Sequence, residues 1–222
     1  MERIAILVPA FNAAATLPEL VRRLKKYLSP ADMVVVDDGS TDQTAEVAQQ
    51  AGVHVLRHEQ NFGKGKALRT GFEYLASLKP FEAVVTMDAD LQHRPEDLPS
   101  FFSCWQDARV DILVGSRARW GTAMPFSRKL SNSITSSLVS ARTGVAIRDS
   151  QCGFRLITRR VFETIRTTSN GYEAETELLI KAARRGFRIG FVPIETVYAG
   201  EQSHMTHVAS TLSFLRVLLR EY

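Results

Sequence analysis

A doubly wound, mostly parallel α/β sheet with helices on both faces is the fold class this sequence predicts, and three observations predict it. Short apolar runs of strand length alternate with amphipathic helical stretches over the first half of the chain, an alternation that builds a parallel sheet covered on both sides. The runs are apolar throughout, as strands buried on both faces require. Polar clusters follow four of them, at the end where open parallel sheets bind ligands.

The elements follow in order. Ile4–Val8 is a buried strand, stopped at Pro9. Leu17, Leu20, Val21, Leu24 and Leu28 then recur at helical spacing. Met33–Val36 is the second strand, and Asp37-Asp38-Gly39-Ser40-Thr41-Asp42 is a turn cluster opening a helix over Gln43–Ala51. Val53–Leu56 is the third strand, Phe62–Leu78 a glycine-punctuated helix, Ala83–Thr86 the fourth strand, Pro95–Gln106 a helix and Val110–Val114 the fifth strand, ending in Gly115-Ser116-Arg117. The second half is less regular. It predicts a serine-rich helix Phe126–Ala141 with Leu130, Ile134 and Leu138 on one stripe, a short strand Phe154–Ile157 and a helix Val161–Arg166. A helix Glu173–Arg185 closed by Gly186, strands Phe187–Ile194 and Glu195–Tyr198, and a helix Val208–Glu221 complete the chain.

For 222 residues without repeat or low-complexity linker, a single domain over 1–222 is the simplest division. The 45% hydrophobic and 23% charged content is that of a soluble globular protein. No run approaches the roughly 18 apolar residues of a membrane-spanning helix, and the amino terminus reads as a strand, not a signal peptide. Cys104 and Cys152 show no metal-ligand or redox spacing, which fits a cytoplasmic protein. Charge is uneven. Positions 117 to 160 hold nine basic residues against Asp149 alone, a local +8 in a chain of formal net charge +4. Such an excess predicts an anionic partner for that segment: phosphate, membrane surface or nucleic acid.

Asn12, Asp37-Asp38, Asp88-Ala89-Asp90 and Gly115-Ser116-Arg117 all fall at strand ends. Side chains at i and i+2 of an extended segment share a side, so Asp88 and Asp90 can converge on one hard cation, Mg²⁺ or Mn²⁺. The alternative is that Asp90 caps the helix Pro95 opens. Asn61-Phe62-Gly63-Lys64-Gly65 can bring backbone N–H groups and an ammonium to a phosphate, or be a tight strand-to-helix turn. No Gly-x-Gly-x-x-Gly follows the first strand, and Gly63-Lys64-Gly65-Lys66 does not continue into a phosphate loop.

In combination, Val8-Pro9-Ala10-Phe11-Asn12, Val35 to Asp42, Asn61 to Gly65 and Met87-Asp88-Ala89-Asp90-Leu91-Gln92 resemble family 2 glycosyltransferases of the GT-A, Rossmann-like fold. Gly115-Ser116-Arg117, Asp149 to Arg155 and Gly171 to Leu179 resemble their polyprenyl-phosphate branch, whose best-known members are the dolichol-phosphate mannosyltransferases. The resemblance implies an inverting, metal-dependent sugar transfer from a nucleotide-diphospho-sugar, GDP-mannose or a UDP-sugar, with no role for nucleic acid. Residues 1–117 would form the donor and metal half and 118–222 the acceptor half. Pro9, Phe11, Asn12, Asp37, Asp38, Lys64 and Asp88 would hold the donor. Asp88, Asp90 and Gln92 would hold Mg²⁺ or Mn²⁺.

The acceptor decides what else the site needs. A hydroxyl requires a general base, for which Asp149, Glu175 and Glu177 are candidates. A polyprenyl phosphate is already an oxyanion and needs cations instead, for which Arg117, Arg128 and Arg155 are candidates. The expected catalytic set is therefore Asp90, Asp149, Glu175 and Arg117. The serine-rich helix would lie peripherally on the cytoplasmic face of a membrane. Two rival readings are transfer to a glycan or small-molecule hydroxyl and a non-catalytic nucleotide-sugar binding subunit. Ala13 departs from the family pattern, which commonly has an acidic residue there. Tyr198 to Met205 resembles an acceptor-side loop, in which Ser203 and His204 would touch diphosphate or metal.

Overall fold

In the computed structural model, β1 (Arg3–Ala10), β2 (Met33–Asp37), β3 (His54–Arg57), β4 (Phe81–Thr86), β5 (Ile112–Arg117), β6 (Arg155–Thr158) and β7 (Ile189–Ile194) form one sheet, ordered β3-β2-β1-β4-β6-β5-β7. The structure describes residues 3–78, 81–117, 126–196 and 207–222, without the side chains of 126–128 and 207–211. The helices are α1 (Leu17–Leu24), α2 (Thr44–Gln50), α3 (Lys64–Ser77), α4 (Leu98–Ala108), α5 (Phe126–Thr143), α6 (Arg159–Thr164), α7 (Glu173–Arg184) and α8 (His207–Leu219).

The central strands are the apolar runs read from the sequence. Leu7, Val36, Val84 and Leu113 are fully buried, and the parallel register sets Val8 beside Val35 and Ile6 beside Val85. β1 continues two residues past its predicted end because Pro9 and Ala10 pair with Val36 and Asp37. Strand order reverses between β1 and β4, the switch point at which open α/β sheets form a crevice.

β6 breaks the simple alternation. It runs antiparallel to both β4 and β5, pairing Val84 with Ile157 and Leu113 with Leu156. Its first residue, Arg155, therefore lies beside Thr86 and Val114, near the carboxyl ends of β4 and β5. That reversal is what carries residues 149–154 to the same edge as Asp88 and Arg117. β5 also runs three residues beyond its predicted end, because β7 pairs with it as far as Arg117 and Ile194. Of the expected strand Glu195–Tyr198, the described part is an isolated bridge between Thr196 and His93.

α5 sits opposite to ordinary packing. Leu130 and Ile134 are about half exposed, at 51% and 50%, and Leu138 is also exposed, while Asn132, Ser136 and Val139 are buried. The buried side is polar because it binds the segment leading into β6: Ser150 N–H donates to Ser136 Oγ at 3.1 Å, and Ser136 Oγ–H to Asn132 Oδ1. α8 packs on α7 and α5, with Arg142 donating to the carbonyls of Leu218 and Arg220. Among the described residues no helix is long and apolar enough to cross a membrane.

Candidate active site

At the end of β1 the ring of Phe11 is 47% exposed, and Asn12 takes a left-handed conformation at φ 50. Asn12 is stapled to the turn after β2. Its N–H donates to Ser40 Oγ at 2.9 Å, and its Oδ1 accepts from Thr41 N–H at 2.9 Å. Ala13 stands inside this corner, its N–H bound to Thr44 Oγ1, while Asp42 accepts from Ala14 N–H. Pro9 is not at the surface. It is buried in β1, and Phe11 beside it is the exposed ring.

The two aspartates expected to bind base or ribose are both buried and occupied by their own chain. Asp38 accepts from Phe62 N–H at 3.1 Å and Gly63 N–H at 2.7 Å, and bonds His58 Nδ1 at 2.6 Å. These bonds shape the Asn61–Gly65 loop around Asp38. Asp37 accepts from Ser40 N–H, and its Oδ2 lies 3.3 Å from Arg57 Nε, close enough for ion pairing but not aligned as a hydrogen bond.

Asn61–Gly65 is the turn and not the phosphate cradle. Beyond the two N–H groups given to Asp38, Gly65 and Lys66 donate theirs to the Asn170 carbonyl. That carbonyl also forbids a side chain at Gly63, where φ is +97 and a Cβ would come within 2.4 Å of it. What the turn delivers is Lys64, whose Nζ lies 2.6 Å from Asp88 Oδ1 and 3.2 Å from Glu175 Oε2. Burial alone would lower the pKa of this ammonium, but the two carboxylates hold it above the ordinary lysine value.

Asp88 follows β4 directly. Burial disfavours its charge, yet Lys64 keeps its pKa below the usual carboxylate range. Asp90 goes the other way. Burial and the neighbouring Asp88 charge push its carboxyl up. Its Oδ1 accepts from Gln92 N–H at 3.0 Å, a turn closed by Leu91 at φ +62, a region that costs a non-glycine residue roughly 1–3 kcal/mol. Asp90 is thus bound within its own turn and does not cap α4, whose N-cap is Asp97.

His93 lies beneath this pair, buried, with Nδ1 4.0 Å from Asp88 and Nε2 3.7 Å from Cys152 Sγ. Burial keeps the imidazole neutral by lowering its pKa. Gly153 closes over the centre: a Cβ there would stand 2.6 Å from Asp88 Oδ2 and 2.9 Å from Lys64 Nζ. Neither residue is among the candidate site residues expected from the sequence, although the run Asp88-x-Asp90-x-x-His93 points to His93 and the Asp149 to Arg155 motif contains Gly153.

Three predicted roles in the second half change. Arg155 is 1% exposed and donates to the carbonyls of Cys152, Ser150 and Glu175 at 2.7, 2.9 and 2.6 Å. It anchors the start of β6 and is not a ligand for acceptor phosphate. Asp149 is buried and joined to Arg117 by two bonds, Nε to Oδ2 at 2.7 Å and Nη2 to Oδ1 at 2.9 Å. Burial would raise its pKa, but Arg117 holds it below the carboxylate range, and the pair fixes the guanidinium in place. Glu177 accepts from the N–H groups of Thr168 and Ser169 and pairs with Lys181, and these bonds outweigh burial to bring its pKa down to about 2. It too is structural. Arg117 is placed at the β5 terminus by its aspartate. The side chain of Arg128, and all of Tyr198–Met205 with Ser203 and His204, lie outside the described residues.

The sequence and the fold have known counterparts. The family model described as glycosyl transferase family 2 matches residues 5–166. The chain belongs to that family. Among curated relatives of this glycosyltransferase, an undecaprenyl-phosphate mannosyltransferase of Micrococcus luteus is 32% identical, covering 88% of this chain and 84% of its own. A polyprenol monophosphomannose synthase of Mycolicibacterium smegmatis is 30% identical, covering 87% and 77%. A glucosyl-3-phosphoglycerate synthase from Mycobacterium tuberculosis, solved with Mn²⁺, uridine diphosphate and phosphoglyceric acid, superposes with a TM-score of 0.78 at 20% identity, over 98% of this chain and 78% of that one. The GT-A fold expected from the sequence is the fold observed.

The residues of the transferase fit a divalent cation. Asp90 carries a carboxyl whose charge is disfavoured by Asp88, an imbalance that a cation between them relieves. Among the described residues no cluster of three or more His, Cys, Asp or Glu side chains could hold a metal alone. Two carboxylates with an adjacent amide, Gln92, are a set suited to an ion that shares its sphere with substrate phosphates.

Proposed function

We propose that this glycosyltransferase moves a sugar from a nucleotide-diphospho-sugar, GDP-mannose or a UDP-sugar, to a polyprenyl phosphate at a membrane surface, with inversion. The observation that carries the reading is the state of the three candidate bases. Asp149 is held by Arg117, Glu177 by the Thr168–Ser169 backbone and Lys181, and Glu175 by Lys64. An acceptor hydroxyl would find each of these three bases already ion-paired, Glu175 through one of its two oxygens. An acceptor phosphate brings its own oxyanion and needs none. The two mannosyl-transferring relatives, named for undecaprenyl phosphate and polyprenol monophosphomannose, support the same choice.

In this mechanism Phe11 stacks on the base and the Asn12 corner frames the ribose. Asp88 and Asp90, with Gln92, would hold Mg²⁺ or Mn²⁺, which when bound would supply Lewis-acid stabilisation of the departing diphosphate. Arg117, fixed by Asp149, orients the acceptor phosphate so that one oxygen attacks the anomeric carbon in line. One displacement inverts that carbon. Residues 1–117 supply most of the donor side and 118–222 most of the acceptor side, with Arg117 facing the acceptor and Gly153 and Glu175 closing on Asp88 and Lys64.

The outward apolar stripe of α5, Leu130, Ile134 and Leu138, supports a peripheral seat on the cytoplasmic leaflet. Leu212, Leu215 and Leu219 of α8 are exposed as well. The intact Asp88–Asp90 pair favours an enzyme over a pure binding subunit, which needs no leaving-group metal.

The test is direct. The purified chain is incubated with labelled GDP-mannose or UDP-sugars, undecaprenyl phosphate and Mn²⁺, and the organic phase is counted. Lipid-linked label is expected with one donor class; none with any donor, alongside transfer to a hydroxyl acceptor, would replace this reading with its rival.

A further inference from the structure

Lys64 is shared between two carboxylates of unequal standing. Its ammonium is 2.6 Å from Asp88 Oδ1 and 3.2 Å from Glu175 Oε2, and the three side chains are 12%, 27% and 6% exposed. Glu175 Oε1 is buried with no hydrogen-bond partner. The Tyr172 ring lies 5.7 Å from Nζ on one side, and the Gly153 backbone closes another so tightly that a Cβ would touch both Nζ and Asp88. The ammonium is therefore confined to a short path with a carboxylate at each end, and the Glu175 end still has an unused acceptor.

A divalent cation on Asp88 repels an ammonium at the same carboxylate. Among the described residues the ammonium already pairs with a second carboxylate, Glu175, whose other oxygen has no hydrogen-bond partner. We propose that Lys64 and the divalent cation compete for Asp88, and that Glu175 is a positioning residue that draws Lys64 aside and so sets the affinity of the site for the cation. This assigns to Glu175 a role other than general base, and to Lys64 a role other than a fixed donor ligand. The inference rests on the assignment of Asp88 as a metal ligand.

Mn²⁺ alone, without nucleotide, is titrated into the wild type, Lys64→Met, Glu175→Gln and the double variant, and free Mn²⁺ is counted by electron paramagnetic resonance. Lys64→Met is expected to bind Mn²⁺ on the order of 10-fold more tightly and Glu175→Gln several-fold more weakly, a coupling in the ordinary range. The weakening by Glu175→Gln is expected to shrink in the Lys64→Met background, because its indirect part needs the ammonium. Unchanged or weaker binding by Lys64→Met, or equal weakening by Glu175→Gln in both backgrounds, overturns the proposal. Asp88→Asn separates the two layers: if it binds Mn²⁺ like the wild type, the metal assignment itself falls and the competition with it. Should Lys64→Met not fold, the side-chain ¹⁵N resonance of Lys64 is followed in the wild type during Mg²⁺ addition. A saturable shift supports displacement, and an unmoved resonance at saturating Mg²⁺ refutes it.

Discussion

The guanidinium of Arg117 meets the carboxylate of Asp149 edge to edge, Nε to Oδ2 at 2.7 Å and Nη2 to Oδ1 at 2.9 Å, with the carboxylate fully buried. Such a fork fixes an arginine in orientation as well as place. Asp149→Asn is therefore expected to raise the KM for the acceptor phosphate about 10-fold or more, the worth of a charged hydrogen bond, with donor KM little changed. The pH–rate profile should keep its shape. If Asp149 were the base, its loss would instead remove kcat and the acidic limb together. Arg117→Lys should be as damaging, since an ammonium cannot reproduce the fork.

Asp88 and Asp90 differ in what they lean on, so their variants should differ in stability while sharing a loss of activity. Asp88→Asn leaves Lys64 and Glu175 without their third partner inside a buried cluster, and a drop of roughly 3 kcal/mol is expected on unfolding. Asp90→Asn removes a charge the site disfavours and should be neutral or slightly stabilising. Both should lower turnover by on the order of 10²–10³-fold. Denaturant melts beside turnover at saturating Mn²⁺ test the contrast; equal destabilisation by both would contradict the pKa ordering of the pair.

The reach of sequence reading followed where information is local. β1, β2 and β4 were legible because each centres on a run of three or more apolar residues bounded by turn chemistry, a pattern set within a few residues. The direction of β6 was not. Four residues beginning with an arginine carry no mark of being antiparallel, and the burial of Arg155 depends on three carbonyls that only the folded chain brings together. Asp37 and Asp38 were correctly placed at a strand end, but their bonds to Ser40, Phe62 and Gly63 belong to loop geometry that residue identity does not encode. The stripe on α5 was visible as a period; which way it faced depended on Ser136 binding Ser150.

Gly153 is a spacing requirement with no chemistry of its own. Adding one methyl would press on Asp88 and Lys64 at once. Gly153→Ala is expected to cost roughly 1–3 kcal/mol of stability, as overpacking usually does, and to lose more activity than the stability change explains. Comparing melting with Mn²⁺ affinity checks this, and an alanine variant with wild-type affinity would place Gly153 outside the site.

The outward stripe of α5 makes a prediction separable from catalysis. Leu130 and Ile134 are half exposed, so serine there should leave the melting temperature nearly unchanged. On a bilayer each apolar side chain contributes about 1.5–3 kcal/mol when buried. Ile134→Ser with Leu130→Ser should therefore abolish co-sedimentation with anionic phosphatidylglycerol vesicles. Retained sedimentation would move the membrane contact elsewhere on the chain.

Glu177 gives a prediction in acid. Its carboxyl is fully buried in this fold and its pKa falls from the ordinary 4.5 to about 2, because bonds from Lys181 and the Thr168–Ser169 backbone outweigh burial. A depressed folded-state pKa means the folded form holds its proton less tightly than the unfolded chain does. The stabilisation is complete above about pH 5 and is lost as pH falls toward 2. Unfolding free energy measured from pH 6 down to pH 3 should therefore drop more steeply in the wild type than in Glu177→Gln, which starts lower and carries no charge to lose. The two curves should converge toward acid. Parallel curves across that range would show that the Glu177 contacts contribute no net pH-linked stability, and that Lys181 and the loop before α7 are held by other means.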